Sequence, residues 1–437
     1  MGVERGGRTC EKLRRRGAAK ACCVAACCLA AACVPLGAEL RRALLETPRA
    51  AESAQLAEAA QLVARGAIDG GAGAGVPLPA EPYVKRPFLM LSDQRSGSTW
   101  AMALLEKVPC VQGWHEIMLP VSNWGRQELG LPKLEDEHHA LAPIRLQMLH
   151  AFFGDEREAC EVADAPPPGN MTCFRNMTCH VAFSEEVWAA PAALQEAARV
   201  HAMRLHCEAA RKQRLVSQGA PAATLGFKWM FNQGAMETLG SDHNTGWRWL
   251  ADRGGRVVHL SRRDLIAREV SNMAMQSARE AGIEKNAHAG DQEAASKLGT
   301  VFTMNVKRLV KNLKRKLEEK EVARNELARV SREFGIEVLH VYYEDLVGEA
   351  GEAVVCAMRA FVSNGGSGCG LMRALPTDTY FTKIHKNEAS SYVNNWAECE
   401  VAVRKAGLEA LLDQKIAQHD EATAAAVLRQ VGAIECN

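Results

Sequence analysis

The chain has no excess of charge of either sign: 53 lysines and arginines stand against 52 aspartates and glutamates in 437 residues, a formal net charge of +1. That excludes a protein that holds polyanions through its overall field, so any basic cleft must be local. The basic run Lys307-Arg308, Lys311 and Lys314-Arg315-Lys316 leads into a glutamate-rich helical stretch. It reads as a solvated helix face, and no nucleic-acid partner is expected. The GxxxxGK[ST] loop of a nucleoside triphosphatase is missing, and no carboxylate pair spaced for magnesium lies near the candidate anion loop described below, where no metal is expected. A strongly apolar N-terminal run is missing too. The uncharged stretch from Ala21 to Ala38 is mostly alanine and cysteine, is interrupted by Pro35, and sits at the lower length limit for a membrane-spanning helix. What remains is ordinary: 47% hydrophobic and 24% charged residues, with length for one large or two ordinary domains.

The N-terminus reads as an address. Arg5, Arg8, Lys12, Arg14, Arg15, Arg16 and Lys20 precede the uncharged stretch, a flank that stays cytoplasmic and sends the rest to a lumen. Residues 1–20 are therefore expected to be a cytoplasmic tail and 21–38 a signal anchor. A signal peptide cut near Leu36-Gly37-Ala38 and an organelle transit peptide compete with that reading. Residues 39–85 read as a stem: Thr47-Pro48 starts a short helical stretch, and Gly66 to Gly75 with the prolines at 77, 79 and 82 break it into a linker. Asn170-Met171-Thr172 and Asn176-Met177-Thr178 are tandem glycosylation acceptors, each followed by a cysteine, as suits a lumenal surface. Cys110, Cys160, Cys173, Cys179, Cys207, Cys356, Cys369, Cys399 and Cys436 lie beyond the address region. In an oxidising compartment this odd set leaves at least one thiol free or paired between chains.

A domain is expected over 86–437. Its strand candidates are Phe88–Leu91, Val111–Trp114, Thr224–Lys228, Arg256–Leu260 and Ile336–Tyr342, short apolar runs separated by helical stretches. That pattern predicts an α/β fold, a P-loop NTPase-like parallel sheet flanked by helices, with a helical insertion over about 120–221. Helices are expected over Glu137–Phe153, Ala192–Gln213 and Lys297–Phe334, the last offering Val301, Met304, Leu309 and Leu313 as apolar contacts. Ligand loops then belong at the carboxyl ends of the strands.

Two turns sit there. Gln94-Arg95-Ser96-Gly97-Ser98-Thr99-Trp100 follows Phe88-Leu89-Met90-Leu91, and a helix is expected from Thr99 to about Lys107. A strand feeding a helix through such a turn aims backbone N–H groups at one point, where an anion can sit. Arg95 adds a cation; Ser96, Ser98 and Thr99 add hydroxyls. The second turn follows Arg256-Val257-Val258-His259-Leu260 and carries Ser261-Arg262-Arg263-Asp264. A helix after it places Ile266, Val270 and Met273 on one face and Ser271 eight residues beyond Arg263. Arg263 and Ser271 both reach toward a further phosphate on this reading.

These segments resemble the sulfotransferases that use 3′-phosphoadenosine 5′-phosphosulfate (PAPS). Arg95 to Trp100 is similar to the family's 5′-phosphosulfate loop, and Arg263 to Ser271 to its 3′-phosphate motif, with Leu265 where a proline is usual. Gly226-Phe227-Lys228-Trp229-Met230-Phe231-Asn232-Gln233 resembles a segment of bacterial trehalose sulfotransferase-like enzymes. Val341-Tyr342-Tyr343-Glu344-Asp345-Leu346 resembles a common sulfotransferase strand end. Lys383-Ile384-His385 with Asn395-Trp396 resembles the C-terminal segment of Golgi and algal members. The resemblance runs from about Pro87 to Leu412, with a gap in the middle.

It implies a Golgi-membrane, single-pass enzyme with a lumenal catalytic domain that moves a sulfuryl group from PAPS to a carbohydrate hydroxyl; a secreted or organelle-targeted protein is the other placement. The donor would lie against Arg95, Ser96, Gly97, Ser98, Thr99, Trp100, Arg263 and Ser271. Glu116 resembles the family's catalytic glutamate, and His115 competes with it as the base. Lys228 touches the transferring group or pairs with an acid at the sheet edge. Asp264 reads as a helix cap, and Glu344 and Asp345 as structural. A small-molecule alcohol, hydroxy acid or lipid acceptor, a non-catalytic glycan- or nucleotide-binding protein, and a P-loop kinase are the competing readings.

Overall fold

The computed structural model describes residues 85–108, 110–128, 131–165, 171–174, 180–216, 224–280, 301–348, 351–363, 389–391 and 393–413. The chain divides into two units, Met1–Ala80 and Glu81–Asn437. All described residues fall in the second. The expected tail, anchor and most of the stem lie outside them, as do Asn170, Asn176 and Lys383-Ile384-His385. Among the described residues no helix is long and apolar enough to cross a membrane.

Five strands form one parallel sheet: β1 (Arg86–Ser92), β2 (Val111–Trp114), β5 (Thr224–Met230), β6 (Arg256–Ser261) and β7 (Glu337–Tyr342), in the order β2-β5-β1-β6-β7. A two-stranded antiparallel ribbon, β3 (Met171–Phe174) and β4 (His180–Phe183), lies in the insertion. In β1 the side chains alternate between two cores. Leu89 and Leu91 join Phe227, Trp229 and Val257 in one cluster; Phe88 and Met90 join Val258, Leu260 and Leu339 in another. A sheet apolar on both faces needs helices on both, which is why its strands read as near-continuous apolar runs.

The helices supply those covers. The first core is closed by α3 (Glu137–Phe152), α6 (Pro191–Val216) and α7 (Ala235–Asp252). The second is closed by α1 (Ser98–Leu105) and α11 (Gly351–Ser363). A third cluster joins α8 (Leu265–Glu280), the start of α9 (Val306–Phe334), α12 (Trp396–Lys405) and α13 (Glu409–Asp413). Ile266, Val270 and Met273 are buried in it, as their spacing predicts. The insertion also carries α2 (Asn123–Glu128), α4 (Glu156–Asp164) and α5 (Glu185–Ala189), and α10 (Tyr343–Val347) follows β7. Cys160 of α4 and Cys207 of α6 form a disulfide. Cys110 and Cys356 are disulfide-bonded as well, whereas Cys399 is free and buried.

One expectation needs correcting. Helix α9 starts at Val306 because the Asn305 side chain accepts from Arg308 N and caps it. Val301 stands before the helix, 57% exposed, and contributes no core contact; Met304, Leu309 and Leu313 are buried.

Strand order fixes where a ligand can sit. From β1 the chain moves toward β2 on one side, and from β6 toward β7 on the other. The crevice between their carboxyl ends is a topological switch point, the usual ligand position in such sheets.

Candidate functional site

The turn after β1 is built on Asp93. Its backbone carbonyl accepts from Ser96 N (3.3 Å) and Ser96 Oγ (2.6 Å). Its buried carboxylate accepts from Arg268 Nη1 of α8 at 2.7 Å, with Lys316 Nζ of α9 at 3.6 Å. Ser96 therefore shapes the turn with both of its donors. Arg95 is held at φ 66° and Gly97 at φ 80°, left-handed conformations that cost a residue with a Cβ roughly 1 kcal/mol or more. Gly97 is required twice over, since a Cβ there would overlap the ring of Tyr343. As N-cap residue of α1, glycine brings no side-chain cap, and Ser98, Thr99 and Trp100 form the first turn behind it. The turn therefore opens α1 with backbone N–H groups at its positive end, as every helix start does.

The second turn lies beside the first. Arg95 Nε and Nη2 both donate to Ser271 Oγ, at 3.2 and 3.1 Å. Residues 176 positions apart, one from each motif, thus touch across the β1–β6 crevice. Arg263 is placed differently from Ser271. Its guanidinium makes a bidentate pair with buried Asp345 (2.6 and 2.9 Å) and lies over the Tyr342 ring at 4.1 Å. Arg263 N and Asp264 N donate to Glu344 at 3.0 and 3.2 Å. Glu344 and Asp345 thus tie the end of β7 to the end of β6. Asp264 Oδ1 accepts from Ala267 N at 2.7 Å and caps α8; burial pushes its carboxyl up.

Arg262 is a further cation at this crevice, and neither motif assigns it a role. Its Nη1 lies 3.5 Å from Arg95 O, its Nε 3.5 Å from Glu344 Oε1, and its guanidinium 4.8 Å from the centre of the Tyr343 ring. Lys320 of α9 donates to Arg262 O at 3.3 Å, and burial pushes its ammonium down. Burial also pushes the Tyr343 phenol up, so it stays protonated against the glycine turn. The only sequence signal for Arg262 was its place beside Arg263. Asp93 and Arg268, which brace the turn, carried none.

A third group gathers at the ends of β2 and β5. Lys228 Nζ, 1% exposed, reaches Thr99 Oγ1 at 2.8 Å and Glu116 Oε1 at 2.6 Å. Gln233 Nε2 donates to Glu116 Oε2 at 2.6 Å. Lys228 therefore pairs with an acid, and through Thr99 it also borders the glycine turn. His115 points elsewhere: its Nε2 is 3.6 Å from Oε1 of Glu106, whose carboxyl burial pushes up. Of the two candidate bases, Glu116 is joined to the turn through Lys228 and Thr99. Among the described residues no group of three or more histidine, cysteine or acidic side chains is arranged to hold a metal ion.

Fold and site together define an α/β protein of P-loop-like arrangement, with a glycine turn at its switch point and a carboxylate–lysine pair beside it. No family model, curated protein or solved structure matches the chain.

Proposed function

We propose that this chain is a sulfotransferase that moves the sulfuryl group of PAPS to a hydroxyl of a carbohydrate acceptor. The observation that carries the reading is the contact of Arg95 with Ser271, which brings the two phosphate-motif turns to one crevice. The 5′-phosphosulfate lies at the first turn of α1 against Arg95. The 3′-phosphate lies toward Ser271, with Arg262 and Arg263 as the neighbouring cations. Glu116 takes the proton of the acceptor hydroxyl while its oxygen attacks sulfur in line. The bond from sulfur to the bridging oxygen breaks, and adenosine 3′,5′-bisphosphate leaves with that oxygen's charge stabilised by Arg95 and Lys228. Positioning and fixed cations supply most of the acceleration in such transfers, and one lost donor costs on the order of a hundredfold in rate. The enzyme is anchored by 21–38, faces the Golgi lumen and is glycosylated at Asn170 and Asn176.

The test is transfer from radiolabelled PAPS to a panel of oligosaccharides, small alcohols and lipids, with Glu116→Gln alongside. Transfer to a saccharide that the variant loses supports the proposal. Transfer to small alcohols or lipids alone corrects the acceptor class, and nucleotide binding without transfer to any acceptor overturns the enzyme.

A further inference from the structure

Gln233 closes the one-turn helical segment Phe231–Gln233 after β5 and is 4% exposed. Its side-chain oxygen accepts from Met230 N at 3.3 Å, and its backbone carbonyl accepts from Trp229 Nε1 at 3.4 Å. With the oxygen committed to a backbone N–H, the amide has one sensible orientation, and its nitrogen must face Glu116. The next residue keeps it there. Gly234, at φ 74°, opens α7, and a Cβ on it would overlap Arg145 Nη1 and the His138 ring. Arg145 is itself fully buried and pinned to Val121 O (3.0 Å) and Glu137 Oε1 (2.5 Å). The turn carrying Gln233 is thus wedged against α3.

Each Glu116 oxygen then meets a donor from β5 or its turn: Lys228 on Oε1 and Gln233 on Oε2. Two donors from one rigid element fix the plane of a carboxylate, which one donor cannot do. Glu106, in turn, is met by His115 and by Lys212 of α6. We propose that Gln233 is a positioning residue that aims the Glu116 carboxylate at the acceptor hydroxyl. This rests on the sulfotransferase reading and adds a residue to it.

Two near-isosteric variants test the role. Gln233→Met keeps the volume and removes both the donor to Glu116 and the acceptor of Met230 N; Gln233→Glu keeps that acceptor and replaces the donor with a second acid. Either change disfavours ionised Glu116, so the acid limb of the kcat–pH profile should move to higher pH, further for Gln233→Glu. kcat should fall roughly ten- to a hundredfold with KM for PAPS unchanged, since misplacement of this kind acts on the chemical step. If Glu116→Gln is inactive but both Gln233 variants keep the wild-type kcat and acid limb, Gln233 is only a turn-former and the inference fails while the enzyme reading stands. Variants that only melt earlier, with kcat and acid limb unmoved, overturn the inference in the same way. If Glu116→Gln retains full transfer, the base assignment fails and takes this inference with it.

Discussion

Acidification should destabilise this domain through a pair of histidines beneath the crevice. His259 of β6 and His340 of β7 stand opposite each other in the parallel register, Nδ1 to Nδ1 at 2.9 Å, with Phe231 edge-on to His259. Only one of the two facing nitrogens can carry the shared proton, so at least the accepting ring is neutral. Burial, with His340 and Lys320 nearby, pushes His259 down from 6.5 to about 3. Burial and Arg324 push His340 down as well. A histidine with a depressed folded pKa takes up protons more readily when unfolded. Its stabilising effect is therefore complete above 6.5 and is lost as pH falls toward 3, by about 1.4 kcal/mol per pH unit. Between about pH 7 and about pH 5 His259 alone should account for about 2 kcal/mol. That window lies wholly above the folded pKa, so the figure changes little if the pKa is one unit higher. The assay is urea unfolding at both pH values for the wild type and His259→Asn, whose amide mimics the Nδ1 position. Carboxylates elsewhere contribute equally to both proteins. The variant should lose about 2 kcal/mol less than the wild type on acidification. Equal losses would refute the claim that the fold holds this ring neutral.

Three other substitutions have outcomes the structure fixes. Arg263→Ala strands the buried Asp345 carboxylate and should cost about 3 kcal/mol or more in urea unfolding, whereas Arg262→Ala leaves Glu344 its two backbone donors and should cost only about 1 kcal/mol while weakening binding of adenosine 3′,5′-bisphosphate. The Cys160–Cys207 bridge closes a loop with a sequence separation of 47. Replacing both cysteines by alanine should lower stability by up to about 4 kcal/mol, read as a lower denaturation midpoint.

Much of the frame was legible because each strand is a short run of apolar residues that must be covered on both faces. All five expected strands form, at most two residues longer or one shorter at either end. The turn at Arg95 was legible for a related reason: a glycine among small hydroxyl residues between strand and helix has few other uses. The contacts inside the site were not legible, because strand order makes them. Asp93 meets Arg268, and Glu116 meets Gln233, across 175 and 117 residues, and nothing local marks either pair. Arg263 shows the same limit from the other side. Its spacing to Ser271 suggested a shared ligand, but the neighbouring β7 delivers Asp345 to its guanidinium. In the insertion, the ribbon of β3 and β4 and the short helices α4 and α5 were also not anticipated. They are too brief to show a period in sequence.

Calorimetric titration of the purified chain with adenosine 3′,5′-bisphosphate, against adenosine 5′-monophosphate and ATP, decides whether the two turns hold one nucleotide. The bisphosphate should bind roughly ten- to a hundredfold more tightly than the other two, the worth of one charge-assisted phosphate contact, and Arg95→Ala should lose most of that affinity. Equal affinity for all three, or a bisphosphate site untouched by Arg95→Ala, contradicts a nucleotide shared between the turns.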